Sequence, residues 1–151
     1  MNIVIHKSVH TLTLVDGTRE VLRCPAALGA QPVGHKQREG DGRTPEGCYR
    51  ICLVKENGKY GRSLGLSYPN EQDAQRAHDA GLIDQRTLDN IRLAQQQGRR
   101  PPWGSPLGGE IYIHEGGAES DWTQGCIALS SADMDVLFPL RDEIDTVQIV
   151  P

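Results

Sequence analysis

The sequence lacks the features that define several broad classes of protein. No apolar stretch approaches the about 18–20 residues of a membrane-spanning helix, and no basic run is longer than the pair Arg99-Arg100. None of the cysteines forms a Cys-x-x-Cys pair, the spacing typical of zinc sites and thioredoxin-like redox centres. We therefore expect no membrane span, no nucleic-acid-binding stripe and no Cys-x-x-Cys metal or redox site.

The size and composition that remain are those of one globular domain. The chain has 151 residues, enough for one domain of ordinary size and too few for two. Its hydrophobic fraction of 37% does not count the 17 glycines, and the total is typical of a folded protein. The formal net charge of −4 disfavours a nucleic-acid partner. We expect a single monomeric domain over residues 1–151.

Alternating apolar residues predict a chain that is mainly β. Ile3 and Ile5, then Leu12 and Leu14, form a strand pattern that leads to the turn signal Asp16-Gly17, which indicates a hairpin. A last strand is predicted near the C-terminus, through Val147 and Ile149.

A second hairpin is predicted around the Asn57-Gly58 turn. Its second strand runs through Leu64 and Leu66. Its first strand places alternate residues on two faces: Tyr49, Ile51 and Leu53 on one, and Cys48, Arg50 and Cys52 on the other.

Between these strands the sequence predicts a loop and a helical insertion. Residues 29–47 hold five glycines and two prolines among charged residues, a composition that predicts a long exposed loop, and such loops are often functional. From residue 70 to 98, Asn70 and Asp84 are placed to cap two short helices, and Gly81 and Gly98 to end them.

One cysteine and one histidine are placed to do chemistry together. Cys126 follows Gln124-Gly125 and opens an apolar strand, so its thiol is expected at a strand end, near free backbone N–H groups. His114 ends the predicted strand 110–114, close enough for its imidazole to reach the thiol. Because only the thiolate attacks, a neighbouring base would make Cys126 a nucleophile. The N–H groups of Gln124, Gly125 and Cys126 would form an oxyanion hole, and a backbone carbonyl can orient the imidazole.

Four segments, in this order, resemble the catalytic domain of the L,D-transpeptidases, the YkuD-type domain. They cover most of the chain and include the cysteine and the histidine. The segments are Gly40-Asp-Gly-Arg-Thr-Pro-Glu-Gly47 with the strand that follows it, Leu66-Ser-Tyr-Pro-Asn70, Pro106-Leu-Gly-Gly-Glu-Ile-Tyr-Ile-His114 and Thr123-Gln-Gly-Cys-Ile-Ala-Leu129.

The resemblance implies a fold and a reaction. The fold would be a mixed β-sandwich or flattened barrel, mainly β with a few helices and a helical insertion around residues 70–98. Cys126 would attack the third residue of a peptidoglycan stem tetrapeptide, and D-Ala would leave with a proton from His114. The resulting thioester would pass to an amine and form a 3→3 cross-link. No metal or organic cofactor is expected.

Other outcomes of the same chemistry stay open. With water as acceptor the protein would be an L,D-carboxypeptidase, and with a protein lysine it would be an anchoring or releasing enzyme. A cysteine amidase of the same fold that acts on an amide other than those of the cell wall, and a cell-wall binding module that has lost turnover, are further alternatives. The commoner family pattern has His at position 124 and Arg at position 128, where this chain has Gln124 and Ala128. An arginine at 128 would be suited to holding a carboxylate, so its absence bears on substrate contacts.

The neighbours of the pair are the candidate substrate contacts. They are Tyr112, Glu115, Gly116, Trp122 and Tyr68.

The remaining cysteines are interpreted as packing residues. Cys48 and Cys52 stand four apart in the predicted strand, about 13 Å from one another, which disfavours a shared zinc ion with Cys24. Two interpretations stay open for Arg99, Arg100 and Trp103: a substrate groove, or a solvated helix exit with one packed indole.

The cellular location follows only from the resemblance, which predicts a site outside the cytoplasmic membrane. His6, Lys7 and His10 interrupt the apolar run that a signal peptide would need. Either an export leader lies outside this sequence, which we favour, or the protein is cytoplasmic.

Overall fold

The structure is a computed structural model that describes residues 1–151, with nine strands and three α-helices. The strands are β1 (Asn2–His6), β2 (Thr11–Asp16), β3 (Arg19–Pro25), β4 (Gly47–Tyr49), β5 (Ile51–Gly58), β6 (Gly61–Leu66), β7 (Tyr112–His114), β8 (Ile127–Ala128) and β9 (Thr146–Val150). The helices are α1 (Glu71–Asp79), α2 (Gln85–Gln96) and α3 (Ser131–Leu137), and 3-10 turns cover Lys7–Val9 and Phe138–Glu143.

The five-stranded sheet joins the two ends of the chain. Its order is β3-β2-β1-β9-β4, with β1 antiparallel to β2 and parallel to β9. Ile3 pairs with Leu14 on one side and with Val147 on the other, and all three side chains are fully buried. The predicted N-terminal hairpin and the C-terminal strand are therefore confirmed.

The four-stranded sheet has the order β5-β6-β7-β8, and β7 and β8 run parallel. Buried residues of both sheets, among them Ile5, Leu66 and Ile113, pack into one core cluster of 20 side chains. Neither sheet closes on itself. The predicted fold class, mainly β with a helical insertion, is confirmed.

The chain changes sheets where the sequence predicts one continuous strand. β4 ends at Tyr49 and pairs with β9, whereas β5 begins at Ile51 and pairs with β6. The prediction of one strand with two alternating faces over residues 48–53 is therefore wrong. The chain passes from one sheet to the other at Arg50, between β4 and β5. The second hairpin is present, but its turn is at Lys59-Tyr60, two residues beyond the predicted Asn57-Gly58.

The loop over residues 29–47 is present and more buried than its composition predicts. Thr44 is fully buried, and its hydroxyl accepts a hydrogen bond from the Gly29 N–H at 3.0 Å. Lys7 reaches the loop from the 3-10 turn after β1, and its ammonium donates to the carbonyls of Gly34 (2.7 Å) and Thr44 (2.8 Å) and to the carboxylate of Glu46 (3.1 Å). The buried Lys7 ammonium thus stabilises the loop through three hydrogen bonds.

The helical insertion forms as predicted. Asn70 caps α1 in a capping box with Asp73, and Asp84 caps α2 by accepting from the Thr87 N–H. Gly81 and Gly98 follow the helices in the left-handed conformation that glycine favours. None of the helices has the length and apolar character needed to cross a bilayer.

Asp73 connects the insertion to the rest of the fold. Its carboxylate has no exposed surface and accepts hydrogen bonds from the Tyr49 hydroxyl (2.8 Å) and the Asn70 N–H (2.9 Å). His35 Nε2, from the loop, lies 3.0 Å from the same carboxylate. One side chain therefore joins β4, α1 and the loop 29–47.

We expect Asp73→Ala to destabilise the protein by about 3–5 kcal/mol, because it leaves a buried hydroxyl and an imidazole without their acceptor. The matched control is Asp79→Ala, at the exposed end of the same helix, which should change stability by about 0.5 kcal/mol or less. Urea unfolding of both variants measures the two changes. Equal effects would contradict the role given to Asp73.

Candidate active site

Cys126 lies immediately before β8, at the end of a loop that starts after β7. Its Sγ is 3.3 Å from the Glu110 carbonyl oxygen, to which the thiol donates, and it accepts from the Tyr112 N–H at 3.4 Å. Glu110 has a positive φ of 56°, a backbone conformation uncommon for a non-glycine residue. The segment that enters β7 therefore positions the thiol through its backbone.

His114 ends β7 and is held by its own chain and by aromatic rings. Its Nδ1 is hydrogen-bonded to the Glu115 carbonyl. Because a carbonyl only accepts, Nδ1 carries the proton and Nε2 has the free lone pair. The ring stacks on Tyr60 with centroids 4.8 Å apart and meets Trp122 edge-on at 5.6 Å. Nε2 is buried and has no hydrogen-bond partner.

The thiol and the imidazole face the same space. Two cavities, of about 270 and 200 Å³, are both lined by Cys126 and His114. Lys59, Tyr60 and Glu110 also line both cavities. The thiol and the imidazole therefore lie where the two cavities adjoin.

Burial keeps both members of the pair neutral. It raises the pKa of the Cys126 thiol, an effect partly offset by the Tyr112 N–H and by the positive charge of Lys36. It lowers the pKa of His114, although the hydrogen bond to the Glu115 carbonyl opposes this. At neutral pH both groups are therefore uncharged, a thiol and a neutral imidazole that line the same cavities without a hydrogen bond between them.

Two of the three expected oxyanion donors are free. The Gly125 N–H donates to the Thr123 hydroxyl at 3.1 Å, and that hydroxyl donates to the Cys126 carbonyl at 2.7 Å. Gly125 is therefore already engaged. The N–H groups of Gln124 and Cys126 have no protein acceptor.

Position 125 requires glycine, because of its backbone conformation and because a neighbouring carbonyl leaves no room for a side chain. Its φ is +138°, and a Cβ at this position would lie 2.7 Å from the Arg43 carbonyl oxygen. The loop 29–47 thus packs directly against the backbone segment that carries Cys126.

Three of the predicted substrate contacts lie beside the pair. Tyr112 lines the smaller cavity and Trp122 the larger one. The Trp122 indole donates to the Gly117 carbonyl at 3.0 Å and is 37% exposed. Gly116 lies under this indole, where a Cβ would come within 2.8 Å of the ring.

The other two predicted contacts do not face substrate. Tyr68 has no exposed surface, and its hydroxyl donates to the Leu107 carbonyl at 2.9 Å, so the substrate-binding interpretation is wrong for this core residue. The Glu115 carboxylate is directed to Arg62, whose side chain lies 2.6 Å away and holds the pKa of Glu115 at about 2. Only the Glu115 carbonyl serves the site, through His114.

Sequence reasoning missed Tyr60 and Lys36. Tyr60 lies in the β5–β6 turn, and nothing in the local pattern indicates that it would stack on His114. Lys36 lies in the glycine-rich loop, whose length was the one available signal of function. Both line the 270 Å³ cavity.

The remaining sequence candidates lie away from the pair. Cys24 is a packing residue, as predicted, and burial raises the pKa of its thiol to about 12. Cys52 is half-buried, whereas Cys48 is exposed on the edge strand β4, so the packing interpretation is wrong for Cys48. The Trp103 indole donates to the Tyr68 carbonyl at 3.0 Å and lines neither cavity. No group of three His, Cys, Asp or Glu side chains could hold a metal ion.

Comparisons with known proteins agree on the domain type. A family model described as the L,D-transpeptidase catalytic domain, YkuD, matches residues 2–149. A comparison with curated protein sequences gave no match.

Solved structures match over nearly the whole chain. The helical cell shape determining protein Pgp2 from Campylobacter jejuni superposes with a TM-score of 0.64 at 21% identity, over 97% of this chain and 46% of that one. L,D-transpeptidase 3 from Mycobacterium tuberculosis gives 0.56 at 13% identity, over 99% and 60%. An L,D-transpeptidase from Mycobacterium smegmatis gives 0.51 at 12% identity, over 99% and 58%. The chain thus spans about half the length of the solved structures that it resembles.

We expect Gly125→Ala to lower the reactivity of the Cys126 thiol at least tenfold, because the added methyl would displace the loop from the Arg43 carbonyl. Gly104→Ala is the control, since that site has open space and no positive φ. Labelling with a neutral haloacetamide, followed by mass spectrometry, reports the rate. An unchanged rate in Gly125→Ala would contradict the close packing.

We also expect the alkylation of Cys126 to accelerate with pH up to values above 9, with no plateau between pH 5 and 8. The reason is the sign of the two shifts: the thiol pKa is raised and the imidazole pKa lowered, so no thiolate–imidazolium pair forms in that range. The rate of haloacetamide labelling between pH 5 and 10 measures this. A thiolate plateau near pH 6 would show that the ion pair forms in the resting protein.

Proposed function

The chain belongs to the YkuD family of L,D-transpeptidase catalytic domains, and from that membership we propose that it is a cysteine acyltransferase acting on peptidoglycan stem tetrapeptides. The observation that carries the proposal is the arrangement of His114. Its buried Nε2 has a free lone pair and no partner, and it faces the same two cavities as the Cys126 thiol.

In the first step Cys126 attacks the carbonyl of the third residue of the stem. His114 Nε2 takes the thiol proton as the sulfur–carbon bond forms, which the neutral imidazole can do. The hydrogen bond from Nδ1 to the Glu115 carbonyl stabilises the imidazolium that results, in the role that a carboxylate has in other triads.

The oxygen of the attacked carbonyl becomes negatively charged in this step. The N–H groups of Cys126 and Gln124 are free to donate to it, whereas the Gly125 N–H instead fixes the loop through Thr123. Because the donors belong to the backbone, the glutamine at position 124 does not weaken them.

The tetrahedral intermediate collapses by breaking the amide bond. His114 returns its proton to the leaving nitrogen, D-Ala departs, and a thioester with Cys126 remains. An amine of a second stem then attacks the thioester, gives up a proton to His114 and regenerates the thiol, with a 3→3 cross-link as product. Two cavities that meet at the thiol are suited to a donor and an acceptor.

Two alternatives remain: a carboxypeptidase, which differs in the acceptor that follows acylation, and a binding module, which is not acylated. Water as acceptor would make the protein a carboxypeptidase, and the same assay distinguishes this by its product. A binding module without turnover is disfavoured, because such a module has no need for a buried, unpartnered imidazole that lines the same cavities as a thiol. The substrate also implies a location outside the cytoplasmic membrane, which we propose for this protein.

The test is incubation with a disaccharide tetrapeptide, alone and with a second stem as amine acceptor. We expect D-Ala release, a covalent adduct on Cys126 in the intact mass, and a cross-linked product when the acceptor is present. Cys126→Ala should abolish all three, and His114→Gln should lower the rate of release by about 10²–10⁴-fold.

Cys48→Ala is the matched control, because it removes an exposed thiol far from the pair and should leave every readout unchanged. D-Ala release without a cross-link would support the carboxypeptidase. The absence of both an adduct and D-Ala release from the wild-type protein would rule out the proposed enzyme.

A further inference from the structure

The protein has two buried lysines in contact with the loop 29–47, and only one of them has its donors satisfied. Lys7, with a side chain 3% exposed, uses its three N–H donors on three acceptors. Lys36, with a side chain 4% exposed, has one protein acceptor, Asp41 Oδ1 at 3.0 Å. Two donors of a buried ammonium are thus left for another partner, and buried polar groups usually have one.

Lys36 lines the cavity that contains the nucleophile. Glu39, Gly40, Glu110 and Cys126 lie around the same 270 Å³ space. The charge of Lys36 also lowers the pKa of the Cys126 thiol, which places the two groups within electrostatic reach of one another. Lys36 also borders a cavity of about 490 Å³ beside α1, so the same residue lines two volumes, one of which contains Cys126.

The Asp41 carboxylate binds the Lys36 ammonium and is shared with several backbone N–H donors. The Asp41 carboxylate also accepts from the N–H groups of Gln37 (2.8 Å), Arg38 (3.2 Å) and Arg43 (3.1 Å). Four donors share one carboxylate, so Asp41 fixes the direction of the Lys36 side chain and leaves it positive. A fixed and partly desolvated cation is a stronger anion site than a mobile one.

No other cation near the thiol has these properties. Lys59 lines the same cavity but is exposed, and Lys55 lines only the smaller one and is also exposed. Ala128, where an arginine would be suited to a carboxylate, is fully buried and exchanges backbone hydrogen bonds with Ala27.

We propose that Lys36 binds the terminal carboxylate of the D-residue that leaves in the first step, and so selects peptides that end one residue after the scissile amide. The inference rests on the proposed function. Successive Cα atoms are about 3.8 Å apart, so this carboxylate lies within one residue of the attacked carbonyl and in the same cavity as Cys126. The acidic residues on the rim, Glu39 and Glu110, are exposed, so solvent screens their repulsion.

The test compares two tetrapeptides that differ only at the C-terminus, one ending in D-Ala and the other in D-alaninamide. We expect the wild-type protein to favour the free acid at least tenfold in kcat/KM. Lys36→Met should lower the acid-to-amide ratio of kcat/KM by about 10- to 100-fold, the effect of a lost charged hydrogen bond, on top of any loss that the two substrates share through the thiol. Lys59→Met is the control and should keep the wild-type preference.

The ratio of the two substrates is the decisive readout, since any change in the thiol or the fold affects both alike. A ratio that Lys36→Met leaves unchanged, with turnover intact, overturns the inference but not the proposed function. Absence of turnover with either substrate in the wild-type protein overturns both. If Lys36→Met does not fold, Lys36→Gln replaces it, and the dissociation constants of both peptides for Cys126→Ala and Cys126→Ala/Lys36→Gln give the same ratio without turnover.

Discussion

The active end of the molecule depends on direct backbone packing between two loops. Gly125 lies so close to the Arg43 carbonyl that no side chain fits between them, and a Cβ on Gly29 would collide with the Gly42 carbonyl in the same layer. The loop 29–47 is held in turn by the Lys7 ammonium and by the Thr44 hydroxyl. Because Cys126 follows Gly125, the position of its thiol is set by a loop that is distant in sequence.

Local patterns in the sequence were sufficient for most of the fold. Strand alternation and the capping residues Asn70 and Asp84 predicted the hairpins and the helical insertion, since these elements depend on neighbours in the chain. The crossing at Arg50 could not be predicted, because β4 and β5 differ only in which distant strand each meets. Tyr68 was misplaced for a similar reason: its burial depends on Leu107, far along the chain.

The site shows the same division. Cys126 and His114 were singled out by the chemistry of a thiol and an imidazole at strand ends together with the resemblance to a known family, and the structure brings them to the same two cavities. Tyr60 and Lys36 have no such signature, and only tertiary structure brings a tyrosine onto the imidazole and a buried ammonium to the cavity wall. Burial, likewise invisible in the sequence, raises the pKa of the Cys126 thiol and lowers that of His114, so both groups are neutral at neutral pH.

The hydrogen bond from His114 to the Glu115 carbonyl cannot be removed by replacing the side chain of Glu115. A main-chain carbonyl is kept in every side-chain replacement, so an alanine scan would not detect its hydrogen bond to His114. The Glu115 side chain is thereby free for another task, and it binds Arg62, which also contacts Asp135 of α3. Glu115 thus contacts His114 through its backbone carbonyl and Arg62 through its side-chain carboxylate.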